Sequence, residues 1–201
     1  MPEIGQVVWQ VNFLRSPLES LEHQELSVFM LIEDEDGIED IESIYLIHDE
    51  SELFWKLNQN SWKQKVLGGK NWIGSNSIRM SDSSNLPAGN YRLVVIDRAG
   101  ERDTREFNLS GKMLEIKNGE SFPKLIIGSD IVINSRFSDN TLWIYDESME
   151  ILKNIRIETG KISMDIINND TGDRARWVSI YSFDAETGTG LIRGPYSLQD
   201  Q

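Results

Sequence analysis

Between Leu86 and Leu109 the chain reads Leu-Pro-Ala-Gly-Asn-Tyr-Arg-Leu-Val-Val-Ile-Asp-Arg-Ala-Gly-Glu-Arg-Asp-Thr-Arg-Glu-Phe-Asn-Leu, and a stretch of this kind can fold in few ways. Successive side chains of an extended strand point to opposite faces, so Tyr91, Leu93 and Val95 share one side and Arg92, Val94 and Ile96 the other. Both sides are largely apolar, which predicts a central strand. Asp97-Arg98-Ala99-Gly100 supplies a short connection, with Gly100 able to take a positive φ. The chain then returns through Thr104, Phe107 and Leu109 amid charges, the pattern of a solvent-facing edge strand. The stretch is predicted to be a β-hairpin, and the rest of the chain has to supply its cover.

The two-residue period recurs on both sides of it. Gln6 to Leu14 alternates with Val7, Trp9, Val11 and Phe13 on one face, and Leu26 to Ile32 is apolar on both. Ile41 to Ile47, Leu53 to Leu57 and, more weakly, Trp62 to Val66 read as further strands. Asn71 to Gly74 and Ser77 to Met80 read as two short strands flanking a turn. After a joint at Leu109-Ser110-Gly111-Lys112 the pattern restarts with Met113 to Ile116, Leu125 to Ile127, Ile131 to Ile133 and Thr141 to Tyr145. It continues through Ile151 to Ile157, Ile162 to Ile167, Arg176 to Phe183 and Leu191 to Leu198. Nowhere do apolar residues persist at three-and-four spacing between caps, so no helix longer than about two turns is expected. The 201 residues exceed the usual domain of about 100 to 150. The expectation is therefore an all-β chain of two modules, residues 1–110 and a smaller second module of residues 111–201.

Pro87 fixes φ and Gly89 permits a tight reversal, which delivers Tyr91 into the start of its strand. This arrangement resembles the corner of immunoglobulin-like and fibronectin-type-III-like sandwiches, with Leu86, Gly89 and Tyr91 at the corner. In those folds a Tyr near the start of the penultimate strand bonds to the backbone upstream. The resemblance is confined to residues 86–109. It departs from the immunoglobulin pattern in having no Cys and in placing Tyr45 where a central Trp is expected. It implies two tandem immunoglobulin-like β-sandwich domains and carries no function of its own.

Composition narrows the function classes. Thirty-three acids against 20 bases give a net charge of −13, which repels phosphate backbones and argues against nucleic acid. Without cysteine, disulfides, thiolate metal sites and Cys nucleophiles are all ruled out. The chain given contains no apolar run long enough for a transmembrane segment, and Met1-Pro2-Glu3 does not open like a signal peptide. A cleaved leader or lipid anchor would leave no trace in this chain. Ten of the acids lie between Glu33 and Glu52, a span with no Lys or Arg, and such a surface favours a basic protein partner.

Three constellations invite chemistry. Asp34, Asp36, Glu39 and Asp40 form an acidic patch, and hard cations collect carboxylate oxygens. Aligning Gly37 with the turn glycine of the known calcium loop puts Ile32 and Ser43 at its first and last ligand positions, where Asp and Glu are needed. The patch therefore reads as a solvated loop, with no metal or cofactor expected. Asn168 to Asp173 and Asp184 to Gly188 read as hairpin turns. Trp55, Trp62 and Trp72 fall among short strands and are candidates for an exposed binding platform, against the alternative that at least one belongs to the core. Trp9, Trp143 and Trp177 are assigned to the core outright. Of the two histidines, His23 sits in a polar loop, and His48 precedes Asp49 and Ser51. Neighbours on an extended chain diverge, so these three do not form a triad by themselves, and no catalytic residue is expected.

The function this supports is a non-catalytic binding or structural protein of the cell envelope, periplasmic, membrane-anchored or extracellular by analogy, with a cytoplasmic location left open. The competing readings are a carbohydrate-binding module using exposed aromatics, with a glycan as ligand, and an accessory domain of a larger extracellular enzyme.

Overall fold

A computed structural model describes residues 1–17, 22–115 and 121–199. The chain is all-β, and its one α-helix among the described residues is eight residues long. It divides into two compact units, Met1–Val11 with Gln24–Glu115, and Asn12–His23 with Ile116–Gln201.

The first eight strands are β1 (Glu3–Arg15), β2 (Glu22–Glu33), β3 (Ile41–His48), β4 (Leu53–Leu57), β5 (Lys63–Leu67), β6 (Lys70–Ile78), β7 (Gly89–Asp97) and β8 (Arg102–Leu109). Strands β1 and β2 each run through residues of both units. In the first unit, strands β4, β3, β7 and β8 form one sheet in that order, and β1, β2, β6 and β5 stand in sequence in another. The predicted hairpin is present: Tyr91 pairs with Phe107 and Val95 with Asp103, and β8 is the charged edge strand. Its turn is closed by Asp97, whose carboxylate accepts from the Glu101 amide while Gly100 takes φ 86°. Inward positions Ile44, Leu46, Leu93 and Val95 of one sheet and Leu26, Val28, Met30, Ile32 and Ile73 of the other are buried. The stacked pair Trp9 and Phe107, with centroids 5.5 Å apart, joins β1 to β8.

Asn71 to Gly74 and Ser77 to Met80, read as two short strands about a turn, are replaced by one continuous strand, β6, which ends at Ile78. Gly74 lies in the middle because the backbone of β2 passes directly over it. A Cβ there would lie 2.7 Å from the Phe29 Cα and closer still to the Val28 carbonyl. The register of β2 and β6 slips between Leu26 and Val28 at this contact. A glycine within a strand thus marks a close backbone approach rather than a turn.

The second unit contains β9 (Lys124–Ile127), β10 (Asp130–Asn134), β11 (Asp139–Tyr145), β12 (Ile151–Ile157), β13 (Gly160–Ser163), α1 (Met164–Thr171), β14 (Trp177–Asp184) and β15 (Thr189–Ser197). Strands β12, β11, β14 and β15 form a sheet in that order, to which Asn12–Arg15 adds in parallel along Gly190–Arg193. Strands β13, β10 and β9 form a second sheet. Leu125, Ile131, Ile133, Leu142, Ile144, Ile167, Val178 and Ile180 build an aliphatic core. Within the larger sheet, buried Asn140 donates to the Phe137 carbonyl and accepts from the Ser182 hydroxyl.

Several expectations are corrected here. Of the strand expected at Ile162 to Ile167 only Ile162 and Ser163 are extended, and Asn168 to Asp173 is not a hairpin turn. The chain leaves β13 at Ser163, whose hydroxyl caps α1 by accepting from the Asp165 amide. Met164, Ile167 and Thr171 then recur at helical spacing, with Ile167 fully buried and the Thr171 hydroxyl donating to its carbonyl. Met113 and Leu114 belong to a single 3-10 turn at Gly111–Leu114, and Ile116 lies outside the described residues. His23 lies within β2 rather than in a loop. None of the six tryptophans is fully buried: Trp9, Trp143 and Trp177, expected in the core, remain half-buried. Trp143 stacks on Tyr181 at 5.2 Å.

Substituting Gly74→Ala should destabilise the protein by roughly 2–3 kcal/mol or more, because the obstacle is backbone and cannot rotate away. Gly68→Ala is the comparison at a turn, where no atom approaches a Cβ and the only strain comes from φ 60°. Chemical denaturation of both variants reads the difference.

Candidate functional site

At the start of β7, Tyr91 is completely buried and its hydroxyl donates to the Pro87 carbonyl at 2.8 Å. Burial pushes its phenol well above the usual range. Around the ring stand His48 at 4.8 Å, Phe107 at 5.5 Å and Trp55 at 6.2 Å between centroids. The corner that the resemblance implied is therefore built, with Gly89 at φ 132° because a Cβ there would meet the His48 Nε2 at 2.9 Å.

This corner occupies His48. Its Nε2 lies 3.1 Å from the Ala88 carbonyl, which can only accept, and its Nδ1 accepts from the Ser51 amide at 3.2 Å. Nε2 thus faces a carbonyl as a donor and Nδ1 faces an amide as an acceptor, so both nitrogens are engaged by backbone. Asp49 turns to Arg92 in a two-pronged ion pair at 2.7 and 3.0 Å. That bonding holds the Asp49 carboxyl below its ordinary value and the Arg92 guanidinium above its own. His48, Asp49 and Ser51 are not assembled as a nucleophile, base and orienter.

The three candidate tryptophans are half-buried and held by different elements. Trp55 on β4 donates from Nε1 to the Arg79 carbonyl at 2.9 Å and stacks toward Tyr91. Trp72 on β6 lies between cross-strand neighbours Leu31 and Lys65. Trp62 follows the turn at Asn58, whose carbonyl accepts from its amide.

The exposed aromatic is instead Phe54, two-thirds exposed (66%) on β4. Strand alternation sends Leu53, Trp55 and Leu57 inward and Phe54 and Lys56 outward. Register then aligns Phe54 with Ile47 and Arg92, and Lys56 with Tyr45 and Val94. The outer face of this sheet thus carries an apolar strip in which Phe54 is exposed, Tyr45 and Ile47 are half-buried and Val94 is buried beneath them. Arg92 and its partner Asp49 lie at one margin and Lys56 at another. Tyr45, Ile47, Asp49, Glu52, Leu53 and Phe54 line a hollow of about 410 Å³ on it. The Tyr45 and Phe54 rings are tilted 50° to each other, and the Lys56 ammonium sits 5.3 Å above the Tyr45 ring. No periodicity in the short β4 advertised this strip, which appears only once three strands are placed in register.

In the acidic patch, the structure brings a carboxylate oxygen of Asp34, Asp36 and Asp40 within 4.8 Å of one another, while Glu39 stands outside that group. Asp34 Oδ1 accepts from the Asp36 amide at 2.9 Å, and the turn closes with the Gly37 amide donating to the Asp34 carbonyl. The amine of Met1 lies 3.6 Å from Asp34 Oδ2. Desolvation lowers that amine's pKa, but Asp34, Glu101, Asp97 and Glu35 together outweigh it and raise the value.

No family model and no curated protein matches this chain. Several solved structures resemble it, three of which illustrate the range. Dimeric latent PorU from Porphyromonas gingivalis shares 14% identity at TM-score 0.36, over 97% of this chain and 20% of its own. The BSP domain of a biofilm-associated protein shares 11% at TM-score 0.31, over 98% of this chain and 30% of its own. A complex of the Dpr11 IG1 domain with DIP-gamma IG+IG2 shares 7% at TM-score 0.28, over 96% and 98%. The chain spans a fifth of the length of the first of these and under a third of the second. At the level of fold the first unit is immunoglobulin-like, on the strength of its two sheets and its tyrosine corner. Among the described residues no helix is long and apolar enough to cross a membrane.

Tyr91→Phe should cost about 1 kcal/mol or somewhat more, since the Pro87 carbonyl loses its donor, and urea denaturation measures it. Because the Asp49 pKa is depressed in the folded state, its pairing with Arg92 stabilises at neutral pH and is lost as pH falls below the ordinary carboxylate value of about 3.8. Asp49→Asn should accordingly show a flatter fall in melting temperature between about pH 5 and 3 than the parent. The gap will be small, as the pair is exposed.

Proposed function

We propose that this chain is a non-catalytic interaction protein of the cell envelope, built from two tandem immunoglobulin-like modules, that binds a protein partner through the outer face of the β4-β3-β7-β8 sheet. The observation that carries this reading is the outward apolar strip of Phe54, Ile47, Tyr45 and Val94. A sheet facing water on one side alternates apolar inward with polar outward, and here the outward positions are apolar on three successive strands. Interaction surfaces characteristically join an apolar centre to a charged rim, which Asp49, Arg92, Lys56 and Glu52 supply.

A protein suits this surface better than a glycan. Stacking on sugar rings needs open aromatic faces, whereas the Tyr45 face is taken by Lys56, its ring is inclined to Phe54, and the three tryptophans are half-buried. The net charge of −13 adds attraction for a basic partner. The envelope location follows from the analogy of fold.

Phe54→Asp tests the surface. Because the ring is exposed, melting temperature should change little, within about 0.5 kcal/mol of stability. Retention of the partner in a pull-down from the source organism should fall at least about tenfold, or roughly 1.4 kcal/mol. Undiminished retention of the same partner would remove the face from consideration, and binding to a glycan array by the parent protein would restore the carbohydrate reading.

A further inference from the structure

In the second unit, β15 bulges against β14. Ile180 pairs with Arg193 and Val178 with Tyr196, so Ser179 alone stands opposite the two residues Gly194 and Pro195. Residues three apart on a regular strand point to opposite faces, but one extra residue returns them to the same face. Arg193 and Tyr196 therefore both fall on the side of Val178 and Ile180, which are fully buried. The Arg193 Nε donates to the Tyr196 hydroxyl at 2.7 Å. Gly194 lets the bulge close, because a Cβ there would lie 2.8 Å from the Ser179 Cα.

The parallel pairing of β15 with β1 sets a second arginine beside the first. Arg15 is in register with Arg193, two residues beyond the buried cross-strand pair Phe13 and Leu191, so both arginines continue that inward row where the apolar packing ends. Like charges directly opposite on neighbouring strands repel, and charges partly withdrawn from water ordinarily have a counter-charge. Only one of these has it. The Arg15 Nη1 meets the Glu22 carboxylate at 2.9 Å. Arg193 is half-buried, and among the described residues it donates only to neutral oxygens, the Tyr196 hydroxyl and, at 3.4 Å, the Pro123 carbonyl. Arg15, Glu22, Arg193 and Tyr196, with Ser16 and Pro17, line a hollow of about 240 Å³.

We propose that this hollow binds a small oxyanion, a carboxylate or a phosphate, between the guanidiniums of Arg15 and Arg193. A guanidinium presents a planar fork of donors that matches either group two bonds at a time. An anion seated between the two relieves their repulsion and supplies the counter-charge that Arg193 lacks. The ligand is small for two reasons. The hollow is below the range of about 300–1,000 Å³ usual for drug-sized ligands, and a net charge of −13 repels an extended polyanion. Glu22 is exposed and already rests one carboxylate oxygen on Arg15, so it marks the mode of recognition and competes with the ligand for that guanidinium. The site contains no residue of the β4-β3-β7-β8 sheet and stands independently of the protein-binding face.

Calorimetric titration of the full chain with sodium phosphate and, separately, sodium succinate tests this, with sodium chloride at matched ionic strength as the baseline. Saturable one-to-one binding of at least one of the two anions is expected. Tighter phosphate assigns a phosphoryl ligand, and tighter succinate a carboxylate. Arg193→Lys keeps the charge but loses the fork, and should weaken binding at least about tenfold. Arg156→Gln, which removes a positive charge from an exposed side chain on β12, should bind as the parent does. Glu22→Gln releases Arg15 from its internal carboxylate and should tighten binding at least about threefold, a gain that neither misfolding nor a purely structural role of the arginines would produce. The proposal is overturned if neither anion exceeds the chloride baseline, if Arg193→Lys binds undiminished or Arg156→Gln weakens binding equally, if Glu22→Gln brings no gain, or if an oligonucleotide binds more tightly than free phosphate.

Discussion

The first unit is organised around a buried phenol whose single polar atom has one backbone partner. Tyr91 must bury its ring to hold β7 at the centre of its sheet, and it can do so only because Pro87 and Gly89 bend the chain until the Pro87 carbonyl meets its hydroxyl. The consequences spread outward. Gly89 has no Cβ, so His48 can approach, and His48 in turn accepts from Ser51 and orders the turn into β4. Gln24 joins in from β2: its carbonyl accepts from the Leu86 amide and its amide donates to the Leu114 carbonyl, so the corner is tied to both ends of the segment it terminates. The histidine that invites a catalytic reading is thus part of the corner's polar bookkeeping.

That corner also decides what the other face of the sheet can do. With Tyr91, Leu93, Val95, Leu46 and Trp55 committed inward, alternation leaves Arg92, Val94, Ile47, Tyr45 and Phe54 outward. Arg92 is paired with Asp49 at the margin, and Val94 stands cross-strand from Tyr45. An interaction surface of this kind costs the fold little. The inward face is aliphatic and aromatic enough to hold the unit together, so the outward positions need not be given to solvation.

The acidic loop follows a different physical rule. A turn of repelling carboxylates is expected to splay into water, yet Asp34 is drawn under the loop while its own oxygen accepts from Asp36 and its carbonyl accepts from Gly37. No basic side chain of the same span offsets the repulsion of these charges, and the counter-charge that stands beside Asp34 is the Met1 amine, 3.6 Å from its Oδ2.

The sequence by itself determined the β class, the hairpin of residues 89–109 with its inner and edge strands, and the tyrosine corner. These follow from two-residue alternation and from the restricted φ of Pro87 and Gly89, which are local properties. Tertiary structure alone decided the rest. Alternation says that two residues share a face, but which face meets a core and which meets water depends on pairing partners, so the strip around Phe54 was not visible within five residues of β4. Gly74 was read as the end of a short strand because the chain carries no sign that a second backbone comes so close to it. Helix α1 was masked because Ile162 and Ile167 fit a strand as well as a helix once the Ser163 cap is overlooked. Asp34, Asp36 and Asp40 were legible as a charge cluster, but linear spacing fixes ligand geometry only for a known loop; their convergence, and the burial of Asp34, come from how β2 and β3 are held by the sheets that flank them.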